Sequence, residues 1–230
     1  MKTIGLLGGL SWESTAVYYR EINEAVGREK GGYHSAKIIL NSLEFAGLEA
    51  MMQTENWTEV QKVLVEGAKT IEAAGADFLL ICSNTMHKNE PIIREQVSIP
   101  ILHIVDATGG ALVKDSIKKV GLLGTIFTME QDYYTRPLIE KYGLDVIVPN
   151  ENDRQHVHEI IDEICLGELR ENSKEIYKRI IDDLAKQGAE AVILGCTEIG
   201  ILIKDGEGAV PLYDTTLIHS HAAVKLALKE

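Results

Sequence analysis

Short apolar runs alternate with longer amphipathic stretches along the whole chain. The strand-sized runs are Thr3–Leu7, Lys37–Asn41, Phe78–Cys82, Ile101–Val105, Val120–Leu123, Asp145–Val148, Ala191–Leu194 and Val210–Leu212. The stretches between them read as helices. Trp57–Ala74 aligns Val60, Val63, Leu64, Gly67, Ala68 and Ile71 on one stripe, and Asn172–Gln187 aligns Ile176, Ile180, Ile181 and Leu184. Trp12, Tyr18 and Tyr19 also fall at helix spacing and read mostly as core. Strands that alternate with helices predict parallel βαβ units with helices on both sheet faces.

The pattern restarts after Ile101–Val105. Gly75-Ala-Asp-Phe-Leu-Leu-Ile-Cys-Ser-Asn-Thr85 resembles Gly188-Ala-Glu-Ala-Val-Ile-Leu-Gly-Cys-Thr-Glu198. Counting eight residues from each leading glycine reaches Ser83 in one and Cys196 in the other. Upstream, Gly5-Leu-Leu-Gly-Gly9 resembles Gly121-Leu-Leu-Gly-Thr125, and Gly5 precedes Gly75 by 70 residues while Gly121 precedes Gly188 by 67. Downstream, Val105-Asp-Ala-Thr108 is matched with Tyr213-Asp-Thr-Thr216. Three pairs in one order predict a duplicated α/β fold. The expected domains are 1–105 with 214–230, and 106–213, related by a pseudo-two-fold axis with the active site in the cleft they form.

Ligands of open parallel sheets bind beyond the carboxyl ends of strands. Ser83 and Cys196 are therefore expected on opposite walls of one site. Opposed proton-transfer groups are what inversion at a tetrahedral carbon requires. Cys196 is expected to have a thiol acidified by a helix start at Thr197-Glu198. Cys82, next to Ser83, should point into the core, because adjacent strand residues face opposite sides.

Composition narrows the function further. The chain has 230 residues and a formal net charge of −12, which argues against electrostatic binding to nucleic acid or anionic lipid. No apolar run approaches membrane-spanning length. Three sparse cysteines without a secretory leader predict free thiols and a cytoplasmic location. No cysteine or histidine spacing suggests a metal site. The glycine-rich first turn lacks both the dinucleotide fingerprint and a Walker lysine.

The motifs Gly5-Leu-Leu-Gly-Gly-Leu-Ser-Trp-Glu-Ser-Thr15, Ser83-Asn-Thr-Met-His87 and Gly195-Cys-Thr-Glu-Ile-Gly200 resemble the aspartate/glutamate racemase superfamily, in its aspartate racemase branch. The resemblance spans essentially the whole chain and is nearest to the broad-specificity amino-acid racemases. It implies racemisation without pyridoxal phosphate or any other cofactor, two acid/base residues, and a homodimer. Family members usually carry Cys at the position of Ser83. That departure implies asymmetric catalysis, in which a Cys196 thiolate abstracts the α-proton, Ser83 reprotonates, and L→D is the competent direction.

The resemblance also implies that Asn84, Thr85, Thr125 and Thr197 contact substrate. Backbone amides of Gly8, Gly9 and Leu10 would hold the carboxylate. His87 reads either as a satisfied structural histidine on the helix after the first site or as support for that site. Family aspartate enzymes hold the distal carboxylate with cations where this chain reads Leu48–Gln53 and Ile164–Gly167 and offers none. Gln53 is the polar candidate there. Homoserine-like substrates thus stand beside aspartate and glutamate. The alternatives are a one-thiol isomerase or decarboxylase of a small acid, and a non-catalytic small-ligand binding protein.

Overall fold

A computed structural model describes residues 1–168 and 170–229, the side chain of Glu171 apart. The expected limit at residue 230 lies outside the described residues. The chain divides into two compact units. Met1–Ile104 and the segment from His219 onward form the first; Val105–Ile218 form the second.

In the first unit, β1 (Ile4–Gly8) is the central strand, flanked by β2 (Ile38–Ser42) and β3 (Phe78–Ile81), all parallel. A strand covered on both faces must be apolar throughout, and every residue of β1 and β3 is buried. Leu6, Leu80 and Cys82 pack on one face beneath α1 (Trp12–Lys30) and the C-terminal helix. Leu7, Leu79 and Ile81 pack on the other. That second face is covered by α2 (Phe45–Gln53), α3 (Trp57–Ala73) and α4 (Glu90–Arg94). Cys82 is thus a core residue, as its parity required.

Helix α1 begins at Ser11, whose side chain accepts from the Ser14 amide, and ends at Gly31. It buries Tyr18, but Trp12 is 68% and Tyr19 53% exposed. The core reading of those two is corrected. The buried stripe is Ser14, Thr15, Tyr18, Ile22, Ala25 and Val26, and Trp12 and Tyr19 lie off it.

The expected strand at Ile101–Val105 shrinks to a single parallel bridge between Leu79 and Ile101. Only the Pro100 carbonyl and the Leu102 amide bond to Leu79. The chain then turns into α5 (Ile104–Lys114), which carries it into the second unit.

In the second unit the parallel strands β4 (Lys119–Gly124), β5 (Asp145–Ile147), β6 (Ala191–Gly195) and β7 (Leu212–Asp214) lie in the order β5-β4-β6-β7. β7 starts two residues later than the sequence suggests, after Pro211, which has no amide to donate. Helices α6 (Ile126–Glu130) and α7 (Asp132–Tyr142) join β4 to β5. Helices α8 (Glu151–Cys165) and α9 (Glu171–Lys186) join β5 to β6, and α10 (Ile199–Leu202) follows β6. The core joins α8 and α9 to the sheet, with Tyr177 fully buried beside Ile180, Ile181 and Leu184. Helix α11 (Thr215–Leu228) returns the chain to the first unit.

The duplication holds to the residue. Gly5 pairs with Leu79, four residues after Gly75; Gly121 pairs with Val192, four after Gly188. The bridge Leu79–Ile101 corresponds to the pair Val192–Leu212. This last equivalence corrects the third sequence match. Ile101 answers to Leu212 and the helix start Ile104 to Thr215, so Asp106 and Asp214 are three positions out of register. Asp214 caps α11, its Oδ1 accepting from the amides of Thr216 (2.8 Å) and Leu217 (3.2 Å), whereas Asp106 lies inside the first turn of α5.

Candidate active site

Each sheet presents its small polar cluster where the central strand meets its downstream neighbour, β1 beside β3 and β4 beside β6. Connections leave that point toward opposite sides, which opens a crevice at the carboxyl edge.

In the first unit β3 ends at Ile81, and Ser83, Asn84 and Thr85 follow, all buried. Ser83 Oγ accepts from the Met86 amide at 3.4 Å, opening the 3-10 turn Thr85–Asn89. The Ser83 carbonyl accepts from His87 Nδ1 at 2.7 Å.

The neighbouring turn after β1 is shaped by Gly9. Its φ is +74°, and a Cβ there would lie 2.1 Å from the Leu43 carbonyl oxygen, so only glycine fits. The Gly9 amide donates to Thr15 Oγ1 at 2.9 Å, and Thr15 in turn donates to the Ser11 carbonyl at 2.7 Å. The expected carboxylate-holding amide at Gly9 is therefore already engaged. The Leu10 side chain belongs to the core. Gln53 is exposed at the end of α2 and donates to Glu49 Oε1 at 3.3 Å.

In the second unit Cys196, Thr197 and Glu198 follow β6. Cys196 is half-buried against the core; Thr197 and Glu198 are buried. One carboxylate oxygen, Glu198 Oε2, accepts from both Cys196 Sγ (2.9 Å) and Thr197 Oγ1 (2.7 Å). Burial, and then the Glu198 charge, push the Cys196 thiol well above its ordinary value. The expectation of an acidified thiol is overturned. The helix after it has four residues, too short to oppose an adjacent carboxylate. Thr125 caps α6, its Oγ1 accepting from the Thr128 amide at 3.3 Å.

The structure thus brings Ser83, Asn84 and Thr85 together at one sheet edge and Cys196 and Thr197 together at the other. Gly9 and Leu10 sit on the turn after β1, and Thr125 on the turn after β4. Glu198, expected only as part of a helix start, instead places its carboxylate against the sulfur; its signal in the sequence is an acid two residues beyond the cysteine. Lys88, on the 3-10 turn, lies 3.9 Å over the Trp57 ring, and desolvation lowers its pKa. Among the described residues no helix is long and apolar enough to cross a membrane.

The duplicated parallel sheet carries a polar cluster at each carboxyl edge. Residues 7–223 match the family model of Asp/Glu/hydantoin racemases, and the chain belongs to that family. Among its relatives, the broad specificity amino-acid racemase RacX of Bacillus subtilis is 24% identical over 170 residues, covering 74% of this chain and 73% of that protein. A crystal structure of a Yersinia pestis protein, provisionally named an Asp/Glu racemase, is 45% identical over the full length of both chains with a TM-score of 0.92. An aspartate racemase homologue from Pyrococcus horikoshii is 36% identical over the full length of both chains, with a TM-score of 0.84.

Proposed function

We propose that this chain is a cofactor-independent racemase of small amino acids, with aspartate, glutamate and homoserine-like compounds as the substrate class. The observation that carries the reading is the equivalence of Ser83 and Cys196 on two sheets whose strands β2-β1-β3 and β5-β4-β6 share order and whose central pairs share register.

The proton inventory follows from the contacts. Cys196 rests as a thiol bonded to Glu198. Glu198 accepts the Sγ proton, leaving a thiolate and a carboxylic acid. The thiolate takes the α-proton from one face: an S–H bond forms as the Cα–H bond breaks, and the electron pair delocalises into the α-carboxylate. The Ser83 O–H delivers a proton to the opposite face and is reprotonated from solvent, while Glu198 returns its proton to solvent, which restores the resting site. A hydroxyl is a competent donor to a carbanion but a poor base without activation, so the Ser83 side is the harder half of the reaction and α-proton exchange from L-substrate runs ahead of inversion. Asn84 and Thr85 in the first unit, and Thr125 and Thr197 in the second, are the substrate-holding groups in this reading. Gly9 keeps a shaping role, because its amide already serves Thr15.

The test is NMR in deuterium oxide with L- and D-aspartate, glutamate, homoserine and serine, with chiral chromatography of the products and Cys196→Ala beside the wild type. Cys196-dependent loss of the α-proton with appearance of the opposite enantiomer is expected. No exchange from any of these substrates sinks the reading.

A further inference from the structure

Four buried or half-buried rings of the first unit stand behind Ser83: Tyr18, His87, His103 and His219. His87 Nδ1 faces the Ser83 carbonyl at 2.7 Å, and its Nε2 faces the Ile104 amide at 3.2 Å. A carbonyl only accepts and an amide N–H only donates. The ring is therefore neutral, with its proton on Nδ1. Burial keeps His219 neutral, and the Leu102 carbonyl then fixes it in the opposite tautomer. Its Nε2–H donates to the Leu102 carbonyl at 2.8 Å, and its Nδ1 accepts from the Tyr18 hydroxyl at 2.9 Å. The His87 ring centroid lies 4.5 Å from that of His103 and 5.9 Å from that of His219.

The anchor points have a pattern. Ile104 is the last residue before the chain leaves the first unit, and His219 is the first after it returns. The segment Leu102–Ile104 is thus held twice, once by His219 and once by His87. The other end of the His87 ring holds the backbone of the residue proposed to deliver the proton.

We infer that His87 is a positioning residue for Ser83, fixing the Ser83 turn to the Leu102–Ile104 crossover that His219 and Tyr18 hold from the other side. The inference rests on the reading of Ser83 as proton donor. With its carbonyl pinned and its Oγ accepting from Met86, the Ser83 hydroxyl has few directions in which to offer its hydrogen.

The experiment compares two events on L-substrates in deuterium oxide. Washout of the α-proton from recovered L-enantiomer reports the Cys196 side alone. Appearance of D-enantiomer also requires delivery from the Ser83 side. Asparagine places an amide donor near the position of Nδ1, and glutamine places an acceptor near that of Nε2. His87→Asn is expected to keep the ratio of inversion to washout. His87→Gln, with a similar buried polar group but no donor to Ser83, is expected to lower that ratio about tenfold, with KM unchanged.

Equal loss of inversion and washout in His87→Gln, or equal ratios in the two variants, would overturn the inference. Ser83→Ala separates the failures. If it abolishes inversion while His87→Gln leaves the ratio intact, the positioning role alone is wrong. A wild type without washout overturns the racemase reading and this inference with it. Nitrogen-15 NMR of the wild type should show His87 as the Nδ1–H tautomer, and the other tautomer would overturn the inference independently of activity.

Discussion

Cys196 Sγ donates to Glu198 Oε2 across 2.9 Å, and the same oxygen takes a second hydrogen bond from Thr197 at 2.7 Å. The carboxylate therefore has two opposed effects on the thiol. Its charge raises the thiol pKa, and its basicity offers the proton a place to go.

These effects separate on substitution. In Glu198→Gln the negative charge is gone, so Cys196 should ionise at lower pH and react faster with iodoacetamide. The proton acceptor is also gone, so α-proton washout from L-substrates should fall on the order of 10²-fold. In the wild type, alkylation at Cys196 should be slow at neutral pH and still climbing above pH 9, because the thiol is held protonated. Peptide mass spectrometry after timed labelling distinguishes Cys196 from Cys82 and Cys165. Parallel loss of labelling and washout in the variant would mean that Glu198 acts only by shaping the turn.

Ser83 limits proton removal from the D-enantiomer in the proposed reaction. Ser83→Cys should raise the rate of α-proton removal from D-substrates by about 10² or more, since a thiol is far more readily ionised than a hydroxyl. Removal from L-substrates should change little. Initial rates of α-proton loss from each enantiomer provide the measure. An unchanged D-side rate in a folded variant would remove Ser83 from the proton-transfer pair.

The turn that carries Gly9 is a stability element whichever substrate is used. Gly9→Ala places a Cβ 2.1 Å from the Leu43 carbonyl and demands φ near +74°. No flexible side chain can yield there, because the neighbouring atoms are backbone. The expected cost is about 3 kcal/mol or more, read as a lower denaturant midpoint. A loss below about 1 kcal/mol would mean that the Leu43 segment moves aside easily.

The duplicated architecture was legible because parallel sheets write their register into glycine spacing. Gly5, Gly75, Gly121 and Gly188 mark equivalent places, and the strand pairs follow them residue for residue. Cys82 was legible by parity alone. The thiol chemistry was not legible: a cysteine before a short helix promises acidity, and only three-dimensional placement reveals a carboxylate against the sulfur. Trp12 and Tyr19 share helix spacing with true core residues, and periodicity does not say which stripe faces the sheet. The Asp-containing third match misled because a capping aspartate and a first-turn aspartate look alike in sequence. The pairing of His87 with Ile104, and of His219 with Tyr18 and Leu102, joins distant segments that no local pattern connects.

The buried histidines predict how the fold responds to acid. Burial holds His219 down to about 3 and depresses His87 well below its usual value. Both are neutral in the folded chain and would titrate near 6.5 when unfolded. For a base whose folded pKa is depressed, the unfolded state binds more protons at pH values between the folded and the unfolded pKa. Stability is therefore fully present above pH 6.5 and declines as pH falls toward 3, at about 1.4 kcal/mol per pH unit for His219, and His87 acts in the same direction. Asp214 opposes this at the acid end, because burial raises its pKa. Comparison with His219→Gln isolates the histidine. The variant should be less stable at pH 7.5, having lost the fitted bonds to Tyr18 and Leu102. Between pH 6.5 and 4.5 its stability should fall less steeply than that of the wild type. Urea unfolding at several pH values gives both slopes. Identical slopes would show that His219 is not held neutral by its surroundings, and the tautomer assigned from its two hydrogen bonds would then be wrong.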